Sequence, residues 1–460
     1  VPEATAEDAD RAVRAARAAF DDGSWSYAPV ARRAAVLTAT ADVLQEQREE
    51  IARLETLDTG KTLAEARIDV DDATAVFRYY AALAVTDAGR TVDTGRPDAV
   101  SRVEHEPVGV CGLITPWNYP LLQISWKIAP ALVAGNTVVA KPSEVTPLTT
   151  VRLFRILERT LAEAGAPSGT ANLLLGGGAA GAVLAEHPLV DLVSFTGGLA
   201  TGRSVMRAAA GTVKRTALEL GGKNPNIVFA DADLEAAVDF ALTAAFLHSG
   251  QVCSAGSRLL LHRSLHEEFT AELARRADLI RVGNGLEKGT ETGPLVSAEH
   301  RAKVERHIAG ALAEGAVLRA GGGRPAEPEL QHGYFLRPTV LDGCHAGMQI
   351  VREEVFGPVL TVELFDEEDE AVALANDTPY GLAGAVWTQD AGRGERVAAR
   401  LRLGTVWIND YHPYVPQAEW GGFKQSGTGR ELGPSGLREY QEAKHIWRTV
   451  SPAPQRWFAG

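Results

Sequence analysis

The chain has 460 residues, 45% hydrophobic and 23% charged, a globular balance that suits two or three domains with substantial cores. Its formal charge of -13 leaves no basic footprint for nucleic acid or for an anionic membrane surface. Three scattered cysteines, Cys111, Cys253 and Cys344, with few histidines near them, are too few for a disulfide framework or a zinc site, so no metal is expected.

The opening stretch VPEATAEDADRAV is acidic where a secretory signal needs basic and then apolar residues. No apolar run reaches the roughly 20 residues of a membrane span, and the cytoplasm is the expected location. Residues 32–83 carry Ala, Leu and Val at helical spacing. Residues 108–114 and 137–140 read as short buried strands around a helical 121–133, and a helix follows over 147–164. Apolar runs at 171–175, 190–195, 216–220 and 227–229 predict further strands, with helix over 234–247. Beyond Cys253, strands are expected at 259–261, 359–364, 383–388 and 405–408, and helices at 265–280, 299–314, 367–376 and 391–401. Residues 321–329 form the loosest stretch and read as a surface loop. Strands alternating with helices predict an α/β fold with mostly parallel sheets covered on both faces, in two units that meet near 219–253.

Within that join, GQVCSAGSR places Cys253 among small and polar neighbours, where little buries it. A lone cysteine in a turn is usually no more than a tolerated small residue, but a thiol becomes a nucleophile when a neighbour favours the thiolate or takes its proton. Glu219 closes an apolar strand before two glycines and can deliver a carboxylate into a cleft. Asn118, inside TPWNYP, sits at a bend fixed by two prolines and can donate to an oxyanion.

Six segments, PWNYP, KPSE, FTG, ELGGK, GQVCSAGSR and EEVFGPV, occur in the order and spacing of the NAD(P)-dependent aldehyde dehydrogenase superfamily, which the chain resembles over nearly its whole length. The stretch NDYHPYVPQAEWGGFKQSGTGRELG (residues 409–433) is similar to the betaine-aldehyde and aminoaldehyde branch. The resemblance implies that Cys253 attacks an aldehyde and that Asn118 with the Cys253 N–H holds the oxyanion. It implies that hydride leaves to the nicotinamide and that Glu219 then activates water on the thioester. Lys141 is carried over to both the catalytic and the cofactor sets.

For the cofactor, the first strand is followed by no GxGxxG. The resemblance supplies Trp117, Lys141, Glu144, Gly177, Gly181, Phe195, Thr196, Gly197, Gly198, Leu220, Glu354 and Phe356. A carboxylate at Glu144 suits ribose hydroxyls and repels a 2′-phosphate, so NAD is expected over NADP. Gly198 stands where many members of the family have Ser, leaving backbone N–H groups for the pyrophosphate. The loop 175–181 also lacks the first glycine of the usual pattern. The chain begins where the family normally has already spent a few dozen residues on a β segment, which points to a truncation or a shortened domain.

The expected substrate pocket comprises Tyr119, Trp126, Leu247, Tyr414 and Trp420, with His412 nearby and Glu419 able to attract a cation if it turns inward. Tyr119 and Trp126, seven apart, are expected on one helical face. Aromatic faces attract quaternary ammonium groups by about 0.5–2 kcal/mol each, although aromatic residues in a pocket are often only apolar lining. No Arg in these stretches is placed to clamp a substrate carboxylate, and Arg258 belongs to the cysteine motif. Betaine aldehyde is therefore the first expectation and an ω-aminoaldehyde such as 4-aminobutanal the second. Outside this class stand a Cys-Glu-Lys hydrolase using Cys253, Glu219 and Lys223 without nucleotide, and a structural protein on the same fold.

The family architecture implies a Rossmann-like nucleotide-binding domain (1–90 and 107–219) and a catalytic domain (220–429). Residues 91–106 and 430–460 would supply a small β oligomerisation flap and the C-terminal segment, with the flap at about 91–106 and 446–450. Such a flap implies a homodimer or homotetramer.

Overall fold

The computed structural model describes residues 3–458. Four helices lead the chain, Ala6–Asp21, Val30–Glu46, Arg48–Thr59 and Leu63–Ala84. The expected helical stretch is thus broken twice, at Gln47 and at Gly60, whose φ of 83° ends the third helix. The first helix was not expected. Its buried stripe is Ala9, Val13, Ala16 and Ala19, which carries little hydrophobic contrast, and it starts from a capping box between Thr5 and Asp8.

A six-stranded sheet has the order Gly427–Thr428, Arg215–Leu220, Leu192–Gly197, Val110–Ile114, Thr137–Lys141, Ala171–Leu173. All pairings are parallel except the antiparallel Gly427–Thr428 edge. The two central strands Val110–Ile114 and Thr137–Lys141 are buried throughout, as continuous apolar runs between helical layers require. A seven-stranded sheet has the order Val317–Ala320, Thr339–Asp342, Val359–Phe365, Arg258–His262, Pro225–Val228, Ala383–Trp387, Thr405–Ile408. It too is parallel apart from one edge strand, Val317–Ala320.

The third sheet is antiparallel and small: Arg90–Val92, Ala99–Pro107 and Gln441–Thr449. Its last strand begins at Gln441, paired with Pro107, well before the expected 446. Other departures are local. Residues 178–181 of the expected glycine loop lie in a helix, Gly178–Glu186, with Gly177 at its N-cap. Helix Leu199–Ala210 and the strands Val317–Ala320 and Thr339–Asp342 were not expected. The Gly427–Thr428 strand, placed with the catalytic half from sequence, pairs instead with Leu218 and Glu219 of the six-stranded sheet. Residues 321–327 are irregular, as expected, before a 3-10 turn at Pro328–Leu330.

Helix Pro120–Ala134 is buried along all 15 residues and packs against helix Leu63–Ala84. The chain then turns at Gly135 (φ 101°) into Asn136, which is fully buried and ties three elements together. Its Oδ1 accepts from Gly109 N at 2.9 Å, and its Nδ2 donates to Ala131 O at 3.0 Å and Tyr440 O at 2.9 Å. Asn136→Ala leaves these buried partners unsatisfied and is expected to cost about 3 kcal/mol, read as a lower urea midpoint with an unchanged far-UV spectrum.

Candidate active site

In the six-stranded sheet, the chain leaves strand Val110–Ile114 toward Thr137–Lys141 and later returns to its other side at Leu192–Gly197. Strand order reverses there, and the crevice beyond the carboxyl ends of such strands is where parallel sheets bind ligands. A cavity of ≈ 480 Å³ opens at this point, lined by Lys141, Glu144, Gly181 and Phe195. It shares Pro116, Trp117, Thr196, Gly197 and Gly198 with a cavity of ≈ 240 Å³ that holds Asn118, Glu219, Leu220, Cys253, Glu354 and Phe356. One groove therefore runs from Glu144 to the thiol. Gly177 lies beside Glu144 in an adjoining hollow of ≈ 320 Å³.

Cys253 is half-buried between fully buried neighbours, on the link from helix Leu234–Phe246 to strand Arg258–His262. Three successive residues before it, His248 (φ 48°), Ser249 (φ 54°) and Gly250 (φ 68°), are left-handed. Non-glycine residues pay about 1–2 kcal/mol each for this conformation, so the turn needs external holds. His248 N donates to Glu65 Oε1 at 2.7 Å, Ser249 N to Thr292 Oγ1 at 2.9 Å, and Ser249 Oγ to Gly293 O at 2.5 Å. A Cβ on Gly250 would meet Gly357 O at 2.1 Å. Beyond the thiol, Asn224 Nδ2 donates to Cys253 O at 2.8 Å and Ala255 O at 3.0 Å, and Tyr411 Oη to Ser254 O at 2.9 Å.

Asn118 is buried, and its Nδ2 donates to Gln251 O at 2.9 Å. That bond uses one amide hydrogen and leaves a second for an oxygen in the cavity. Glu219 is buried with neither carboxylate oxygen hydrogen-bonded. Burial, and next the charge of Glu431, hold its carboxyl well above the usual range, against the pull of Lys127. Lys127 itself pairs with Glu431 and donates to Ser194 Oγ at 2.9 Å. Burial, then the charges of Glu219 and Glu354, push the Cys253 thiol up to about 12. Glu219 thus disfavours the thiolate while charged, and its raised carboxyl lines the same cavity as the sulfur.

At the groove's other end Lys141 Nζ meets Glu144 Oε2 at 3.2 Å. Lys141 belongs to this end, alongside Glu144, rather than to the cavity around the thiol. Helix Leu199–Ala210 starts at Gly198 and helix Gly178–Glu186 at Gly177, both without a side-chain cap, leaving free N–H groups beside the groove. Thr196 Oγ1 is buried without a partner, and a Cβ on Gly198 would meet nothing within 4 Å. An elongated groove with a carboxylate at one end, two uncapped helix starts and an orphaned hydroxyl fits a dinucleotide. Glu354 Oε1 accepts from Gly222 N at 3.1 Å, and burial pushes its carboxyl up to about 7. Phe356 (φ 61°) stands edge-on to Trp117 at 5.4 Å.

Among the residues expected around the substrate, Trp420 lines the cavity with Cys253. Trp126 and Tyr414 pack against it at 6.0 and 6.3 Å and lie 5.4 Å from each other. Tyr119 does not share a helical face with Trp126. It precedes the helix, because a residue before proline is driven out of helical backbone. Its ring lies edge-on to His248 at 5.3 Å, with the Lys61 ammonium 3.9 Å from its centroid. Leu247 is half-buried where helix Leu234–Phe246 ends, and His412 Nδ1 meets Ser254 Oγ at 3.3 Å. Glu419 does not turn inward: it is exposed and accepts from Ser435 Oγ at 2.9 Å. The acid at the aromatic cluster is Asp72, which accepts from the Tyr414 hydroxyl and is pushed up to about 6 by burial.

Sequence reasoning missed Asn224, Glu65, Asp72, and the His300 and Lys303 that line the thiol cavity. Asn224 had a signal, an amide at the mouth of an apolar strand directly after ELGGK; the others sit in ordinary polar helix positions. Arg258 is buried on Glu363, with bonds of 2.8 and 3.0 Å, so it is structural. Among the described residues no group of three or more His, Cys, Asp or Glu is arranged to hold a metal, and no helix is long and apolar enough to cross a membrane. Gly250→Ala, with a positive φ and a carbonyl in the way, is expected to destabilise the fold by at least about 2 kcal/mol, measured as a urea midpoint.

Comparison with known proteins agrees with this geometry. The profile described as "Aldehyde dehydrogenase family" matches residues 1–446. The chain is 59% identical over 459 residues to a betaine aldehyde dehydrogenase of Bacillus subtilis (strain 168), covering 100% of this chain and 93% of that one. It is 45% identical over 465 residues to a peroxisomal aminoaldehyde dehydrogenase 2 of Pisum sativum, covering 100% and 91%. The crystal structure of a betaine aldehyde dehydrogenase from Staphylococcus aureus in complex with NAD+ superposes with a TM-score of 0.98 at 54% identity, over 100% of this chain and 91% of that one. A thiol, a carboxylate and an amide meeting at the end of a dinucleotide-shaped groove are thus part of a whole-chain likeness, and the protein belongs to the aldehyde dehydrogenase family.

Proposed function

We propose that the chain oxidises betaine aldehyde to glycine betaine with NAD. The observation that carries the reaction class is the single cavity lined by Cys253, Glu219 and Asn118 and continuous with the groove that ends at Glu144. Cys253 adds through sulfur to the aldehyde carbon, its proton passing toward Glu219. Asn118 and the Cys253 N–H hold the resulting oxyanion. NAD, lodged along Glu144, Lys141, the helix starts at Gly177 and Gly198, Thr196 and Glu354, takes up the hydride. Glu219 gives the proton from sulfur up to solvent, then accepts one from the water that attacks the thioester on Cys253. It returns this second proton to sulfur, releasing the acid and the thiol, so each turnover frees one proton. Glu144 favours free ribose hydroxyls, so NAD is preferred over NADP.

The aldehyde's identity rests on the Trp126–Tyr414–Trp420 cluster and on the likeness to the Bacillus subtilis relative. Aromatic faces with a carboxylate behind them suit a quaternary ammonium group. A second reading, an ω-aminoaldehyde such as 4-aminobutanal, is favoured by Asp72 beside Tyr414, because a primary ammonium also donates hydrogen bonds. The hydrolase alternative fares poorly: Lys223 is buried with no hydrogen-bond partner, among Arg258 and Glu363.

Three unpaired cysteines suit a reducing compartment, and we assign the protein to the cytoplasm. We also retain the division into a nucleotide-binding domain (1–90 and 107–219), a catalytic domain (220–429), apart from its strand Gly427–Thr428 on the six-stranded sheet, and a flap with the C-terminal segment. The flap edge Gln441–Thr449, where Trp447 is exposed, is assigned to contact with a second copy in a homodimer or homotetramer.

NAD reduction should be followed with betaine aldehyde, 4-aminobutanal, succinic semialdehyde and hexanal. The cationic aldehydes are expected to lead, and Cys253→Ala to abolish turnover. A lead by succinic semialdehyde or hexanal overturns the substrate assignment. Because the Glu219 carboxyl is held above its ordinary range, its basic form grows at higher pH than that of a free carboxylate. Hence kcat should rise with pH above the range where an ordinary carboxylate titrates. Glu219→Gln should remove that rise and lower steady-state kcat by about 10²–10⁴-fold.

A further inference from the structure

We propose that Glu65 is a positioning residue for the nucleophile, its carboxylate clamping the left-handed turn before Cys253 to the first turn of helix Leu63–Ala84. The inference rests on the reading of Cys253 as nucleophile. Glu65 is buried and divides its two oxygens between separate tasks. Oε2 accepts from Thr62 N and from Thr62 Oγ1, each at 2.7 Å, closing the capping box of its helix. Oε1 accepts from His248 N at 2.7 Å, 183 residues along the chain.

The box itself needs only one oxygen. At the start of helix Ala6–Asp21, Asp8 Oδ2 alone accepts from Thr5 N at 2.9 Å and Thr5 Oγ1 at 2.8 Å. The longer side chain at position 65 therefore supplies something that helix capping does not require. It reaches the turn His248–Gly250, which local preference disfavours and which sets where Cys253 enters the cavity. The same helix start also steadies the opposite wall. Lys61, paired with Asp69 and 3.6 Å from Glu55, sits over the ring of Tyr119, and Tyr119 adjoins Asn118 and packs on His248. Glu65 thereby fixes the thiol side of the Asn118–Cys253 pair, while Lys61 braces the amide side.

Two variants separate the tasks. Glu65→Asp keeps a carboxylate for the box, as Asp8 does, and withdraws it from His248 N. Thr62→Ala removes the hydroxyl from the box and leaves the Glu65–His248 bond. Two readouts are needed: kcat with betaine aldehyde and NAD, and the rate of Cys253 alkylation by iodoacetamide, followed by mass spectrometry without aldehyde. Glu65→Asp is expected to lower kcat at least about tenfold and to speed alkylation as the thiol leaves its buried seat. Thr62→Ala should match the parent protein in both. Thr292→Val, which takes the acceptor from the neighbouring Ser249 N, should reproduce the Glu65→Asp pair of changes and serves if that variant fails to fold. Equal behaviour of Glu65→Asp and Thr62→Ala in both readouts, or parental alkylation rates in both Glu65→Asp and Thr292→Val, overturns the proposal. Alkylation needs no aldehyde, so failure of the assigned substrate leaves this test intact.

Discussion

A thiol and a carboxylic acid share a cavity at the seam between two mostly parallel sheets, and much of the surrounding structure serves to keep them there. Neither oxygen of Glu219 has a hydrogen-bond partner, and Cys253 is the one half-buried residue in a run of buried ones. Groups so placed lose ionisation before they lose position, because charge in low dielectric costs more than a proton does. The seam therefore holds two acids that burial keeps in their neutral forms. Rigidity is the necessary counterpart. A thiol on a wandering loop would simply swing into water, and five side chains, Glu65, Thr292, Asn118, Asn224 and Tyr411, anchor the backbone of the turn and loop around this one cysteine.

The groove leading to the thiol follows from topology more than from any motif. The reversal of strand order at Val110–Ile114 opens a crevice, and the helices that follow strands Leu192–Gly197 and Ala171–Leu173 start beside it. Uncapped starts at Gly177 and Gly198 supply donors with no side chain in the way. That is why a chain without GxGxxG after its first strand still builds a place for a pyrophosphate. Replacing the customary Ser by Gly198 leaves open space there rather than a broken contact.

Behind the thiol lies a second layer of buried charge. Lys127 with Glu431, and Lys61 with Asp69 and Glu55, are ion pairs enclosed by the helical layer. Buried pairs of this kind contribute little net stability and much geometric specificity. One sets the electrostatic surroundings of Glu219, and the other seats the ring beside Asn118. The aromatic wall at Trp126, Tyr414 and Trp420 is anchored in the same manner, with Asp72 holding the Tyr414 hydroxyl.

Much of this was legible in the residues themselves. The apolar runs around 110–114 and 137–141 announced buried strands, and 405–408 a strand, because period and composition are local properties. Cys253, Glu219 and Asn118 stood out because small neighbours, a strand end and paired prolines are local too. Helix Ala6–Asp21 did not stand out, since an alanine stripe looks like any surface helix until something packs on it. Nor did Glu65, whose capping pattern with Thr62 reads as an ordinary helix start. Its second bond spans 183 residues, and Asp72 meets Tyr414 across 342. Sequence alone nominated Cys253, Glu219 and Asn118 for chemistry and located most of the central strands of the two larger sheets. Only the tertiary structure decided which polar groups hold them in register, because a buried hydrogen bond between distant segments leaves no periodicity in either one.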